Sequence, residues 1–219
     1  MIWKFTDNKS RDSIEQQFDW ARNMNEVPQD KLYHAEGNVA VHTWKVIEEL
    51  QQLPAYSDLG GQDKEILWTA ALLHDVEKRS ATVVESDGRI TARGHARKGE
   101  YTVRTLLYRD LPTPFAIREK IASLVRFHGL PLWLMEKTDP VRKIAEVAFR
   151  LDTSQLRMLA EADIRGRICQ DREELLESLD LFELFCREQG CWKKSREFTT
   201  DHARFRYFHT AESYIDYIP

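Results

Sequence analysis

The apolar residues of this chain recur mostly at intervals of three and four, the spacing of one face of an α-helix. The clearest run covers residues 36–53, with Val39, Val46 and Leu50 among its apolar positions and Pro54 directly after it. Helices are also predicted over residues 10–24, 63–73, 94–108, 115–128, 140–151, 153–165 and 171–188, with Thr153 and Asp171 as expected caps. The pattern therefore predicts an all-α protein.

One short region departs from the helical pattern. Residues 82–85 and 89–91 are rich in β-branched side chains and flank the sequence Ser86-Asp87-Gly88. An Asp-Gly pair between two such runs is a hairpin signal. We expect a small β-hairpin near residues 82–91 within an otherwise helical bundle.

Composition narrows the class of protein. With 219 residues the chain is long enough for one well-filled core, so a single domain over 1–219 is expected. No apolar run approaches the ~20 residues of a membrane helix, and residues 1–7 lack a secretory signal core. Three cysteines are an odd number, which favours reduced thiols and a cytoplasmic location. The net charge of −4 means that any nucleic-acid contact needs a local basic patch.

Candidate chemistry begins at His74-Asp75, where the apolar run 70–73 ends. An isolated pair of this kind is more often the polar end of a core helix. The chain, however, also places His34, His42, His95 and His128 at helix ends or within predicted core helices, and Asp163 within an apolar helix. Burying such groups is costly without partners, and one metal centre satisfies several of them at once. Imidazole and carboxylate ligands suit Mn, Co, Ni, Zn or Fe, and a carboxylate can bridge two ions.

The order of these residues resembles the HD superfamily of metal-dependent phosphohydrolases. The first motif histidine of that family lies mid-helix, like His42 in residues 39–43, and the second motif matches His74-Asp75. Later histidines match His95 and His128, as in dinuclear members, and a late helical aspartate matches Asp163. The resemblance covers residues 32–167 and implies an HD-domain helical bundle, on which the C-terminal helices over 171–219 pack.

A narrower resemblance concerns the substrate. Residues 32–39 and 161–167 look like segments of the HD domain of bacterial CCA-adding tRNA nucleotidyltransferases. The whole layout is most similar to the HD module of bacterial RNA end-healing proteins, in which it precedes a P-loop polynucleotide kinase. Such modules remove 2′,3′-cyclic phosphate and 2′-phosphate from RNA ends. No Gly-x-x-x-x-Gly-Lys-Ser/Thr motif occurs in this sequence, so we expect a stand-alone protein or an excised module whose partner is the kinase.

The resemblance implies a role for each residue. Two divalent transition-metal ions, bridged by Asp75, would activate a water that attacks phosphorus. The implied metal ligands are His42, His74, Asp75, His95, His128 and Asp163. The implied catalytic residues are Asp75, His34 and Lys78, and the implied substrate contacts are His34, Lys78, Arg167 and Arg93.

Several of these roles stay open at this stage. His34 could be a ligand in place of His42, a phosphate contact or a general acid, and the mid-helix position of His42 favours the last two roles. Lys78 could bind a phosphate oxygen or be a solvated lysine. Arg167, four residues after Asp163, could clamp phosphate or form a surface salt bridge. Basic residues around His95 suit an RNA 3′ end, although such clusters are more often solvated surface: Arg89, Arg93, Arg97 and Lys98.

Two other functions compete with RNA end healing. One is an HD-type nucleotidase or phosphodiesterase acting on small nucleotides. The other is a non-catalytic metal- or nucleotide-binding module, against which the complete ligand set argues. A basic and aromatic run over residues 193–208 could touch RNA, dock on a kinase module or pack on its own domain.

Overall fold

The computed structural model describes residues 2–193 and confirms the all-α class. The helices are α1 (Arg11–Gln17), α2 (Asp19–Asn23), α3 (Val39–Gln52), α4 (Pro54–Ser57), α5 (Gly61–Leu73), α6 (Lys78–Ala81), α7 (His95–Thr105), α8 (Phe115–Phe127), α9 (Leu130–Trp133), α10 (Pro140–Ala148), α11 (Thr153–Gly166) and α12 (Arg172–Glu188). Short 3₁₀ turns lie at Met24–Glu26 and Leu134–Glu136, and a π-helical turn at Leu106–Asp110.

The predicted hairpin is present. Strands β1 (Val83–Val84) and β2 (Ile90–Thr91) pair antiparallel, with Val83 opposite Thr91. The turn is closed by the amide of Glu85, which donates to the carbonyl of Arg89 at 2.8 Å. Gly88 occupies the left-handed region at φ +82°, which explains why the sequence needs glycine there.

Four helices form the centre of the molecule. Helix α3 packs along α11 and also against α5, while α5 packs against α8. The closest approach is at Gly166, where a Cβ would lie 2.9 Å from the backbone nitrogen of Val46. Helix α7 lies along α8, and α12 covers α9 and α11. Because these helices share one core, their ends are held in fixed positions relative to one another.

Several predicted boundaries are wrong by a few residues. Helix α3 begins at Val39 rather than 36, because the Asn38 side chain accepts the Val41 amide and Gly37 is left-handed. His42 therefore lies in the first turn of α3 and not in mid-helix. Asp152, not Thr153, caps α11 by accepting the Ser154 amide.

Two further boundaries concern the ends of the described chain. The helix predicted over 10–24 is split by Phe18, which has extended backbone. Asp171 occupies the cap position of α12 without a side-chain cap bond.

The three cysteines are free thiols. Within residues 2–193 no helix has the length and apolarity needed to span a membrane. Of the basic and aromatic run over 193–208, everything after Lys193 lies outside the described residues.

Candidate metal centre

Six side chains from five separate parts of the fold converge at one end of the bundle. His74 and Asp75 directly follow α5, and His128 directly follows α8. His42 lies in the first turn of α3, His95 begins α7, and Asp163 lies in the last turn of α11. All are buried except His95, which is partly exposed. The convergence predicted from the sequence is therefore present in the fold.

The histidine rings form a continuous row through the site. Neighbouring ring centroids are 4.7 Å apart for His34 and His42, 5.4 Å for His42 and His74, 5.2 Å for His74 and His128, and 5.3 Å for His128 and His95. Five rings at such spacing in a largely buried region would repel one another if all were protonated. The row is better suited to neutral imidazoles whose lone pairs bind cations.

Three of these histidines are oriented in the same way. In each, Nδ1 donates to the backbone carbonyl three residues earlier: His74 to Ala71 (2.7 Å), His95 to Ala92 (2.7 Å) and His128 to Val125 (2.8 Å). Two of these carbonyls are left free by the ends of α5 and α8. Since Nδ1 carries the proton, Nε2 of each neutral ring offers a lone pair to the centre of the site, which is the usual arrangement of a metal-binding histidine.

Asp75 lies between two groups of histidines. Its Oδ2 atom is 3.2 Å from Nε2 of His74 and 3.9 Å from Nε2 of His42. Its Oδ1 atom is 3.2 Å from Nε2 of His95 and 3.9 Å from Nε2 of His128. The two carboxylate oxygens thus face different histidine pairs, and each pair with Asp75 forms a cluster of ligand atoms within 4.8 Å. A carboxylate in this position can bridge two ions.

Asp163 completes one of the two groups. Its Oδ1 atom lies 3.0 Å from Nε2 of His42, and its carboxylate accepts from Arg167 through Nε (3.1 Å) and Nη2 (2.5 Å). Burial would raise the pKa of Asp163, but Arg167 and His42 hold it well below its usual range. Arg167 is therefore placed beside a predicted metal ligand, with its side chain largely buried rather than on the surface.

Lys78 adjoins the bridging aspartate. Its Nζ atom is 2.8 Å from Oδ2 of Asp75 and donates to Oε1 of Gln29 at 2.6 Å. Burial opposes ionisation of Asp75, yet Lys78 and His74 lower the pKa of its carboxyl well below the usual range. Lys78 is thus a nearly buried cation at the centre of the site and not a solvated lysine.

Glu36, which the sequence analysis does not identify as a site residue, contacts two of the histidines. The buried Glu36 carboxylate accepts from Nδ1 of His34 at 2.8 Å and lies 2.8 Å from Nδ1 of His42. Its other oxygen accepts the backbone amide of Ile168 at 2.8 Å. An acid that orients a ligating histidine raises the basicity of the ring. The only sequence signal was an acid two residues after His34.

Burial keeps two of the imidazoles neutral. It lowers the pKa of His128 to about 3, with His74 and His95 adding to the effect. It also lowers the pKa of His34 to about 4, although the hydrogen bond to Glu36 opposes this. In contrast, Asp75 and Asp163 outweigh burial and raise the pKa of His74. Near neutral pH the site therefore combines ionised carboxylates with neutral His34 and His128.

The donor set fits divalent metal ions. Nε2 of His74 and Oδ1 of Asp75 are buried and have no hydrogen-bond partner within the described part of the chain. Nε2 of His95 faces Nε2 of His128 at 3.4 Å, although both rings donate their Nδ1 protons elsewhere. Buried acceptors that face one another without a donor are unfavourable, and a cation between them removes the conflict. His42, His74, Asp75 and Asp163 could hold one ion, and Asp75, His95 and His128 a second.

The basic cluster around His95 is only partly next to the metal centre. Arg89 lies on the hairpin, 3.6 Å from Asp30 and over the ring of Tyr33. Arg93 is exposed two residues before His95, and Lys98 donates to the Ser80 carbonyl at 3.5 Å. Of the predicted substrate contacts, His34, Lys78 and Arg167 lie at the centre, while Arg93 lies at its outer edge.

Comparison with known proteins gives one family. The model of the HD domain matches residues 39–163, which are more than half of the chain and include His42, the His74-Asp75 pair and Asp163. No curated protein matches the sequence significantly.

Proposed function

We propose that this chain, which belongs to the HD domain family of metal-dependent phosphohydrolases, removes 2′,3′-cyclic phosphate and 2′-phosphate groups from RNA ends. Family membership supplies the metal-dependent hydrolase chemistry. The RNA end as substrate is our extension, supported by the resemblance of residues 32–39 and 161–167 to RNA-processing HD domains. A polynucleotide kinase is the partner that we propose for such an activity.

The observation that carries the proposal is the position of Asp75. Its two oxygens face separate histidine pairs, so the residues present can hold two cations close together. Such a pair of divalent ions would supply an activated water and neutralise the charge on phosphate oxygens. A cyclic phosphodiester and a phosphomonoester place similar demands on such a centre, because both require attack at phosphorus.

Lys78 and Arg167 supply fixed positive charge beside the centre. Lys78 contacts Asp75, and Arg167 contacts Asp163. Both cations are held by carboxylates and are largely buried, so their positions are set before any substrate arrives. We propose that Lys78 donates to a non-bridging phosphate oxygen and that Arg167 keeps Asp163 ionised and also faces the phosphate.

His34 offers an acceptor rather than a donor. Its Nδ1 proton goes to Glu36, and its pKa of about 4 leaves the ring neutral near pH 7. Its Nε2 atom therefore carries a lone pair in the direction away from Glu36. This geometry favours a metal-ligand role, or acceptance of a proton from a reacting water, over the general-acid role.

The test uses purified protein supplied with Mn²⁺, Co²⁺ or Ni²⁺. We expect hydrolysis of 2′,3′-cyclic mononucleotides and release of phosphate from RNA that ends in a 2′-phosphate. Asp75→Asn should lower turnover by at least 10³-fold, because it removes the charge that both histidine pairs face. Asp58→Asn, an isosteric change at an exposed loop position, is the matched control and should retain full activity. Equal activity in the Asp75 and Asp58 variants would overturn the assignment.

A nucleotidase or phosphodiesterase acting on free nucleotides is the second candidate. The observation in its favour is a groove of about 730 Å³ beside His34, which has the size of a single-nucleotide site. A panel of free nucleotides and phosphate-ended RNA separates the two activities by their kcat/KM values. Metal-loaded protein that is inert on every ester would indicate a binding module instead.

A further inference from the structure

A groove leads away from the metal centre between the segment 28–38 and the hairpin turn. It begins at the buried His34, and its opposite wall is formed by residues 87–90. The volume of about 730 Å³ lies within the range of sites that enclose a small ligand. Of the residues assigned so far to the phosphate reaction, only His34 lines this groove.

The groove is held open by its own hydrogen bonds. Asp30 joins its two walls: Oδ1 accepts the amide of Leu32 at 3.0 Å, and Oδ2 accepts the amide of Ile90 at 3.1 Å. Gly37 and Gly88, one on each side, have left-handed backbone, and a Cβ on either would meet no atom within 4 Å. The absence of side chains at these two positions leaves free space along the groove.

Gln29, one of the residues that line this groove, carries a side-chain donor without a partner within the described part of the chain. The residue is only 6% exposed. Its Oε1 atom accepts from Lys78, which has only donors to offer, so the amide orientation is fixed with Nε2 on the other side. Within residues 2–193 this buried Nε2 atom has no hydrogen-bond partner. A buried amide donor without an acceptor is costly, and a ligand oxygen would satisfy it.

The position of Gln29 indicates which part of a substrate it would meet. Lys78 contacts both Gln29 Oε1 and Asp75 Oδ2, so Gln29 lies one residue away from the proposed phosphate position. In a ribonucleotide the group next to the phosphate is the ribose, which offers hydroxyl and ether oxygens as acceptors. Beyond it, at the hairpin wall, Arg89 lines the groove, and its planar guanidinium is a surface suited to a nucleobase.

We propose that this groove binds the nucleoside that carries the scissile phosphate, with the Gln29 amide donating to a ribose oxygen. The inference rests on the proposed function for its substrate class. It adds a specificity site to the reaction: esters that carry a ribonucleoside should gain binding energy that esters without one lack. The groove also limits the recognised unit to about one nucleoside.

Two variants test the groove, each compared on 2′,3′-cyclic AMP and on bis(p-nitrophenyl) phosphate, which carries no nucleoside. Gln29→Glu keeps an acceptor for Lys78 and removes the free donor, and the negative charge that it adds should act on both phosphate esters alike. Ala35→Trp fills the groove from an exposed position, and Ala116→Trp adds the same bulk to the outer face of α8 as the control. We expect the ratio of kcat/KM for the cyclic nucleotide to that for the simple ester to fall at least tenfold in both groove variants and not in the control. An equal fall for both substrates would overturn the proposal.

A binding measurement separates this proposal from the proposed function. Calorimetry with adenosine 2′-monophosphate and with inorganic phosphate reports groove binding without turnover. Tighter binding of the nucleotide than of phosphate, lost in Ala35→Trp and retained in Ala116→Trp, supports the groove even if no ester is hydrolysed, in which case only the proposed activity fails. Equal affinity of the wild-type protein for the two ligands would overturn the groove as a nucleoside site.

Discussion

Nε2 of His95 and Nε2 of His128 face one another at 3.4 Å. Each Nδ1 proton is held by a backbone carbonyl, and burial keeps the pKa of His128 at about 3. Two lone pairs in such proximity are unfavourable in a largely buried site. A divalent cation held by these two rings and Oδ1 of Asp75 would remove this conflict.

The first prediction concerns the number of ions. We expect metal analysis to give two divalent ions per wild-type chain and one in His128→Gln, because that change removes a ligand from one group only. His42→Gln should remove the other ion, and Asp75→Asn should reduce loading at both positions. Asp58→Asn is the control for metal that is lost during purification. A wild-type ratio that stays at one, unchanged by His128→Gln, would contradict the two-ion arrangement.

The second prediction concerns the close packing of α11 on α3 at Gly166 and Val46, because these two helices carry Asp163 and His42. Gly166→Ala places a methyl group 2.9 Å from the Val46 backbone nitrogen, which belongs to a helix and cannot easily move. We expect a loss of about 1–3 kcal/mol in the free energy of unfolding, measured by urea denaturation, with weaker metal binding. Gly60→Ala is the control, because a Cβ there meets no atom within 4 Å. Similar losses in both variants would contradict a close packing role for Gly166.

The candidate metal ligands could be identified from the sequence because the ends of the helices that carry them can be predicted. His74 and His128 each follow an apolar run whose end is visible in the sequence, so their place at the end of a core helix could be predicted. The hairpin was equally visible, since Asp87-Gly88 separates two β-branched runs. Local signals of this kind depend on neighbouring residues alone.

Residues that act through tertiary contacts could not be found in this way. Glu36 was predicted as the first residue of a helix, but Gly37 and Asn38 delay the helix start and turn its carboxylate towards His34 and His42. Gln29 lies in a segment without periodicity and gains its importance only from Lys78, 49 residues later. Likewise, the four-residue spacing predicts that Arg167 lies on the face of Asp163, but its depth of burial depends on how α11 packs.

The third prediction concerns the buried ion pair between Arg167 and Asp163. Arg167→Gln leaves the Asp163 carboxylate buried without its cation, so we expect metal-free protein to lose about 3 kcal/mol of unfolding free energy. A bound ion supplies positive charge to the same carboxylate, so saturating Mn²⁺ should recover part of this loss. Arg165→Gln breaks a more exposed pair with Glu161 on the same helix and should cost less than about 1 kcal/mol. A loss in Arg167→Gln that Mn²⁺ does not change would contradict a role of Asp163 as ligand.

The last prediction is a pH dependence of the metal-free protein. His34 and His128 have pKa values of about 4 and about 3 in the folded state, below the usual 6.5. Between pH 6.5 and 4 the unfolded chain therefore binds more protons at these residues, and acidification favours unfolding. The lowered pKa values of Asp75 and Asp163 stabilise the fold, and this stabilisation is lost only below about pH 4. The raised pKa of His74 also stabilises the fold, and that stabilisation is lost only above about pH 6.5. The interval from pH 6.5 to pH 5 is therefore dominated by the two neutral imidazoles.

Over that interval each of the two histidines should remove roughly 2 kcal/mol of unfolding free energy, which urea denaturation in the presence of a chelator can measure. His128→Gln lowers stability at every pH but has no titrating group at this position. Its unfolding free energy should therefore fall less steeply with decreasing pH than that of the wild type, by the contribution of one histidine. His95→Gln is the comparison variant, because it removes a partly exposed ring of the same row. Parallel pH profiles for the wild type and His128→Gln would mean that His128 is already protonated in the fold, and the lone pair facing His95 would not be available to a metal ion.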